Sequence, residues 1–74
     1  MLLSNINDMK TYVVKSVFGD KNTARRLYNL GFERGAEITV VRALKGNKAV
    51  VVSLLGRAVI LSFGAASFVE VDCV

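Results

Sequence analysis

One segment carries the only helical signal in a chain that otherwise reads as strands. From position 24 to position 35 the sequence is ARRLYNLGFERG. Its apolar residues recur at helical spacing on one face, and its polar residues occupy the other. We therefore predict a short, half-buried amphipathic helix, with Asp20 or Asn22 as its N-cap. The inward face is Ala24, Leu27, Tyr28 and Leu30, and the outward face is Arg25, Arg26 and Asn29.

Two glycines fix the end of this helix and the direction of the chain after it. Gly31 can adopt the left-handed conformation that closes a helix, and Phe32 would then fold back toward Leu27, as in a Schellman motif. Gly35 suits the third position of a tight turn that requires positive φ. The segment therefore predicts a helix, a turn and a following strand within about fifteen residues.

Runs of β-branched and aromatic residues, separated by glycine-containing turns, predict five strands. The centre Gly46-Asn47 predicts a two-residue hairpin, and a second tight turn is expected around Gly56. A brief break at 64–67 allows one helical turn. We predict a mainly β domain, a small, strongly bent antiparallel sheet that closes as a five-stranded barrel, with one short helix inserted after the first strand. The predicted strands are 12–18, 36–44, 49–55, 59–63 and 68–72.

The length of 74 residues predicts a single domain, 1–74. Its longest apolar runs fall far short of the roughly 20 residues of a membrane span, so we expect no membrane insertion. The first residues lack the pattern of a secretion signal, and we expect a cytoplasmic protein. The absence of proline leaves edge strands unprotected, which favours a homo-oligomer formed through strand edges.

The residue types needed for catalysis or metal binding are scarce. The chain has no histidine, one cysteine near its end, and six scattered acidic residues. Glu70 and Asp72 form the closest carboxylate pair, at strand spacing. No phosphate-binding loop motif follows the glycines. The sequence therefore predicts no enzyme, no metal site and no cofactor.

The net charge of +4 raises a nucleic-acid alternative. Arg42, Lys45 and Lys48 would supply phosphate contacts, with Tyr12 or Phe63 as a stacking surface. A charge of this size is modest for a nucleic-acid binder, and we do not favour this interpretation.

Several motifs together resemble the ferrous iron transport protein A (FeoA) family over nearly the whole chain. They are Arg26-Leu27-x-x-Leu30-Gly31-Phe32, the turn at Gly35, the strand Ile38-Thr39-Val40-Val41 and the ending Phe68-Val69-Glu70-Val71. The family's turn usually reads Pro-Gly, whereas this chain has Arg34-Gly35. The resemblance implies a small SH3-like barrel with one helical insertion. Its structural signature would be Leu27, Leu30, Gly31, Phe32 and Gly35.

The resemblance also implies a function. The chain would be a non-catalytic accessory protein of bacterial ferrous iron uptake, bound to the cytoplasmic GTP-binding part of ferrous iron transport protein B, at the inner face of the membrane. The basic face expected to meet this partner is Arg25, Arg26, Asn29, Lys45 and Lys48. A similar pattern occurs in the SH3-like domain of metal-dependent transcription regulators, so a free-standing domain related to them is a further alternative.

Overall fold

The computed structural model describes residues 1–6 and 8–74. The helices and strands follow the predicted order. They are strand β1 (Thr11–Val17), helix α1 (Lys21–Leu30), strands β2 (Glu37–Leu44), β3 (Ala49–Leu54) and β4 (Arg57–Ser62), the short helix α2 (Phe63–Ala66) and strand β5 (Val69–Cys73). The mainly β architecture with one helix after the first strand is thus confirmed.

The five strands form one antiparallel sheet in the order β4-β3-β2-β1-β5. Its register shifts between Val14 and Ser16 and again between Val40 and Arg42. Such irregularities bend a sheet, and here the bent sheet wraps around one core. Strands β4 and β5 lie at its two ends and are joined through α2, and no ladder between them is present in the described residues.

The core is formed mainly by the inward side chains of all five strands, together with Leu27 of α1, Phe32 just after it and Ala66 of α2. Alternation along β1, β2 and β4 places every second residue inside, whereas β3 is buried along most of its length, as predicted. Side chains that are almost fully buried include Val14, Leu27, Phe32, Ile38, Val40, Val52, Leu54, Val69 and Val71.

The beginning of the chain contributes to the core in a way that the sequence did not indicate. A single 3-10 turn at Leu3–Asn5 buries Leu3 completely and is followed by the buried Ile6. Met1 exchanges two backbone hydrogen bonds with Val71, and Leu2 forms a β-bridge with Glu70. This segment therefore covers the outer edge of β5.

Helix α1 is closed at its C-terminus as predicted. Gly31 has φ 107°, its N–H donates to the carbonyl of Tyr28, and the N–H of Phe32 donates to the carbonyl of Leu27 at 3.0 Å. These two bonds define a Schellman motif. Gly35 has φ 89° at the third position of the turn in which the N–H of Ala36 donates to the carbonyl of Glu33.

The connection between β2 and β3 differs from the expected two-residue hairpin. A 3-10 turn covers Lys45–Asn47, and Lys48 adopts the left-handed conformation with φ 51° before the ladder resumes at Ala49. The prediction that Gly46 and Asn47 form a two-residue turn was therefore wrong. A four-residue loop that ends in a left-handed residue reverses the chain equally well, and four-residue hairpin loops are common.

Asp20, rather than Asn22, caps the N-terminus of α1 and makes helix stability depend on pH. Its Oδ1 accepts the backbone N–H of Thr23 at 2.7 Å. This hydrogen bond lowers the pKa of Asp20 below its ordinary value of 3.8, and the charge of Arg26 lowers it further. A lowered pKa in the folded state means that the stabilisation is present above pH 3.8 and is lost as the pH falls through the lowered value.

We expect this effect in a comparison with Asp20→Asn, which keeps a capping oxygen without a charge. At pH 7 the wild-type chain should have the higher Tm, and the difference should shrink as the pH falls from 5 to 2. Thermal unfolding followed by circular dichroism across this range measures it. A difference in Tm that stays constant with pH would contradict the conclusion that the charge of the Asp20 carboxylate stabilises the helix.

Candidate partner-binding surface

Two grooves flank helix α1, one at its C-terminal end and one along its side. The first, of about 540 Å³, lies between the end of α1, the Gly35 turn and the β3–β4 turn, and we call it the cap groove. The second, of about 390 Å³, lies between α1, β4 and α2, and we call it the edge groove. The cap groove includes Tyr28, Asn29, Glu33, Arg34, Leu55 and Arg57. The edge groove includes Arg26, Leu30, Ile60, Leu61, Ser62 and Phe68.

The cap groove combines exposed apolar side chains with charges of both signs. Tyr28 is 46% exposed, so its placement on the buried face of the helix was wrong. The core-facing side of α1 is narrow and is occupied by Leu27, with Leu30 packed beside it. Tyr28 is one position, about 100° of helical rotation, beyond Leu27, and this turns its ring toward the groove.

A side-chain hydrogen bond ties the β3–β4 turn to the end of α1. The guanidinium of Arg57 donates from Nη2 to the backbone carbonyl of Leu30 at 2.9 Å. Carbonyls in the last turn of a helix lack partners within the helix and carry partial negative charge, so a cation is favourable there. Arg57 therefore joins the start of β4, beside the cap groove, to the last turn of α1.

The structure divides the basic face that the sequence predicted. Arg25, Arg26 and Asn29 are all exposed on α1, where Arg26 lines the edge groove and Asn29 lines the cap groove. Lys45 and Lys48 are also exposed, but they lie on the β2–β3 turn and line neither groove. The two groups of residues thus belong to separate structural elements.

Arg25 and Arg26 form no ion pair within the described residues. Within residues 1–6 and 8–74, the one ion pair at 4.0 Å or less joins Lys10 Nζ to Asp8 Oδ2, two exposed side chains 4.0 Å apart. Both guanidinium groups are therefore available to an acidic partner. Such charges steer an acidic partner and define its orientation more than they add affinity.

The aromatic residues considered for nucleic-acid stacking are not available for it. Tyr12 is 3% exposed and belongs to the core. Phe63 is half-buried and packs against the same core. Arg42 is exposed on β2, but the ring of Tyr12 fills the interior of the domain and cannot stack on a base, and Phe63 presents only part of its ring.

Ligands for a metal ion do not converge in the part of the chain that the structure describes. No three residues of the types His, Cys, Asp and Glu lie close enough together there to hold one. Cys73 is an exposed free thiol.

Neither described helix has the length and apolar content that crossing a bilayer requires.

Sequence reasoning missed two surface residues. Leu55 is 77% exposed in the β3–β4 turn, with the unusual φ of 54°, and Ile60 is 67% exposed on β4. Both lie in apolar runs that predict buried strand residues. For Ile60, the signal was strand alternation: Val59 and Leu61 are buried, so Ile60 between them faces outward.

Solved structures share this fold over nearly the whole chain. The FeoA protein from Chlorobium tepidum is 27% identical, with a TM-score of 0.87, and the alignment covers 99% of this chain and 70% of that one. The FeoA of Stenotrophomonas maltophilia, solved with zinc, is 32% identical, with a TM-score of 0.83 and coverage of 97% and 89%. It is described as an SH3 domain protein and a candidate activating factor of ferrous iron transport.

The fold also occurs inside a larger protein. The apo form of the manganese-activated repressor ScaR matches with a TM-score of 0.91 at 15% identity, and this chain spans 35% of that one. This identity shows a common fold alone. No curated protein sequence matches the chain.

The family model of the FeoA domain matches residues 1–73. The predicted SH3-like architecture is confirmed by the structural matches, and the family links the chain to ferrous iron transport. The chain belongs to the FeoA domain family.

Proposed function

We propose that this protein is a non-catalytic accessory component of ferrous iron transport that binds the cytoplasmic GTP-binding part of ferrous iron transport protein B. Family membership supports the transport role, and the description of the Stenotrophomonas maltophilia relative as a candidate activating factor is consistent with it. In this proposal the protein works in the cytoplasm, at the inner face of the membrane where the permease lies.

The observation behind the proposed contact is the basic face of α1, which is exposed, forms no ion pair within residues 1–6 and 8–74 and lies between the two grooves. Arg25 and Arg26 have no acidic partner within 4.0 Å in the described residues. The exposed ring of Tyr28, on the same helix, and the exposed Leu55 line the cap groove. Arginine and aromatic side chains are enriched at the centres of protein interfaces, so this combination is typical of a protein-binding surface.

We expect the double variant Arg25→Glu/Arg26→Glu to bind the cytoplasmic domain of the permease at least about tenfold more weakly than the wild-type chain. The reason is that two steering cations become anions on an otherwise unchanged helix surface. Calorimetric titration of the purified domain, with and without guanine nucleotide, measures the affinity. The loss should be largest at low salt, because salt screens exposed charges.

Two matched variants locate the contact. Lys10→Glu/Lys15→Glu makes the same change of charge at two exposed lysines outside the proposed face and should leave affinity almost unchanged. Lys45→Glu/Lys48→Glu tests whether the β2–β3 turn belongs to the interface. Equal weakening by all three variants would show only a general charge effect, and absence of wild-type binding at tens of micromolar would contradict the proposed partner.

A further inference from the structure

The outer edge of strand β4 carries backbone groups that its neighbour β3 does not use. Leu55 and Gly56 form a two-residue turn with positive φ at both positions, which pairs Leu54 with Arg57 through hydrogen bonds. At the other end of the strand, the N–H of Phe63 donates to the carbonyl of Lys48 at 2.8 Å. Hydrogen-bonded and non-bonded pairs alternate in an antiparallel ladder. Both observations therefore direct the N–H and C=O of Ala58 and Ile60 away from β3.

These groups have no partner elsewhere in the described residues. Strand β4 pairs with β3 alone, and none of the hydrogen bonds outside the ladders reaches the backbone of Ala58 or Ile60. The opposite end of the sheet is different, because Met1 and Leu2 pair with β5. One edge of the sheet is thus covered by the chain itself, and the other is free to pair.

The free edge faces the edge groove. Ile60, Leu61 and Ser62 are consecutive, and their side chains alternate between the two faces of the sheet, yet all three line this groove. The groove therefore runs along the backbone edge of β4 rather than over one face. Helix α1 forms the opposite wall with Arg26 and Leu30. An edge strand opposite a helix is an arrangement that binds extended peptides by strand addition.

The charge and size of the groove indicate its occupant. Arg26 is the one charged residue among those lining it, and no acidic side chain lies there to neutralise it. An acidic segment is therefore favoured. The groove has a volume of about 390 Å³ and α1 forms its opposite wall, so a short extended segment suits it better than the folded sheet of a second copy.

We propose that the edge groove binds an extended segment of a partner protein, with alternating apolar and acidic residues, which adds to β4 as a further strand. Its backbone pairs with Ala58 and Ile60. Its apolar side chains pack against Leu30 and Phe68, which are half-buried in the groove wall, and an acidic side chain meets Arg26. This mode of binding does not depend on which protein supplies the segment.

The probe is a capped hexapeptide of alternating valine and glutamate, titrated to several millimolar into the isotopically labelled full chain and followed by NMR. We expect saturable shifts of the Ala58 and Ile60 amides and severalfold slower hydrogen exchange of the Ile60 amide. Ile60→Pro removes the outward N–H while leaving the ladder to β3 unaltered, and it should weaken binding at least tenfold. The matched variant Ile60→Thr keeps this N–H and should bind within about threefold of the wild-type chain.

A second measurement holds even if Ile60→Pro does not fold. The same peptide, N-methylated at every residue so that neither of its edges has an N–H to donate, should lose binding to the wild-type chain, and a valine–lysine peptide should bind several times more weakly at low salt. Absence of shifts at millimolar peptide, or equal binding of the N-methylated peptide, would overturn strand addition. Shifts of Ala58 and Ile60 that grow with protein concentration alone would overturn the proposed occupant in favour of a second copy.

Discussion

Phe32→Ala is expected to lower the free energy of unfolding by about 3–5 kcal/mol. Phe32 has no exposed surface and is the largest of the fully buried side chains. Its removal takes a ring from the centre of the core and leaves a cavity that the bent sheet around it cannot easily fill. A domain of this length has a total stability of roughly 4–11 kcal/mol, so this loss is a large fraction of the whole and the urea midpoint of the variant should fall markedly.

Urea unfolding at 25 °C measures this loss, and Tyr28→Ala provides the matched control. Both side chains are aromatic and lie only four positions apart, but Tyr28 is 46% exposed in the cap groove. We expect its truncation to cost less than about 1 kcal/mol, since surface substitutions have small effects. Similar losses for the two variants would mean that Tyr28, as its helical spacing suggested, faces the core after all.

The second large effect is expected at Gly31, where a side chain meets both a conformational and a steric obstacle. Its φ of 107° disfavours any residue with a Cβ, at a cost of roughly 1–2 kcal/mol. A Cβ built there would lie 3.0 Å from Cδ1 of Leu55 and 3.2 Å from Cδ2 of Leu54. Leu55 is exposed and can move, but Leu54 is fixed in the core. We therefore expect Gly31→Ala to cost about 2–3 kcal/mol in total.

Gly35→Ala separates the two contributions. Gly35 also has a positive φ, 89°, but nothing lies within 4 Å of the position its Cβ would take. This variant should show the conformational cost alone, about 1–2 kcal/mol. Urea unfolding of both variants gives the difference, which measures how tightly the β3–β4 turn packs against the end of α1. A zero difference would show that this packing adjusts freely.

The sequence was sufficient for those parts of the fold that local chemistry determines. Helix α1 was predictable because Gly31 and Asp20 mark its ends by backbone conformation and capping. The strands were predictable from β-branched runs, and the second shows the alternation that one buried face requires. The closing turn of helix at α2 was predictable from the break in that pattern at Gly64.

The errors arose where tertiary packing determines which side chains are buried. Tyr28 has helical spacing with Ala24, but Leu27 is the buried residue of α1, and how much of the helix the core covers is determined by the sheet against which it packs. Leu3 and Ile6 are buried because Met1 and Leu2 pair with β5, almost seventy residues away. No local pattern reports a contact at that separation.

The candidate surface was predictable only in its charges. Arg25, Arg26 and Asn29 are exposed, as helix periodicity indicated. The edge groove could not be inferred, because it requires knowing that α1 lies beside β4 and that β4 ends the sheet. Strand order is a property of the whole chain, whereas the sequence pattern describes one strand at a time.

The pairing of β1 with β5 has a consequence for the route by which the chain folds. Tyr12 lies opposite Cys73, whereas β3 and β4 are joined by a turn of two residues. The entropy lost on closing a loop rises by about 0.6 kcal/mol for each doubling of its length. The meander from β2 to β4 can therefore form early, because its short loops cost little entropy. Strands β1 and β5 meet late, when packing against the surface already formed offsets the larger loss of chain entropy.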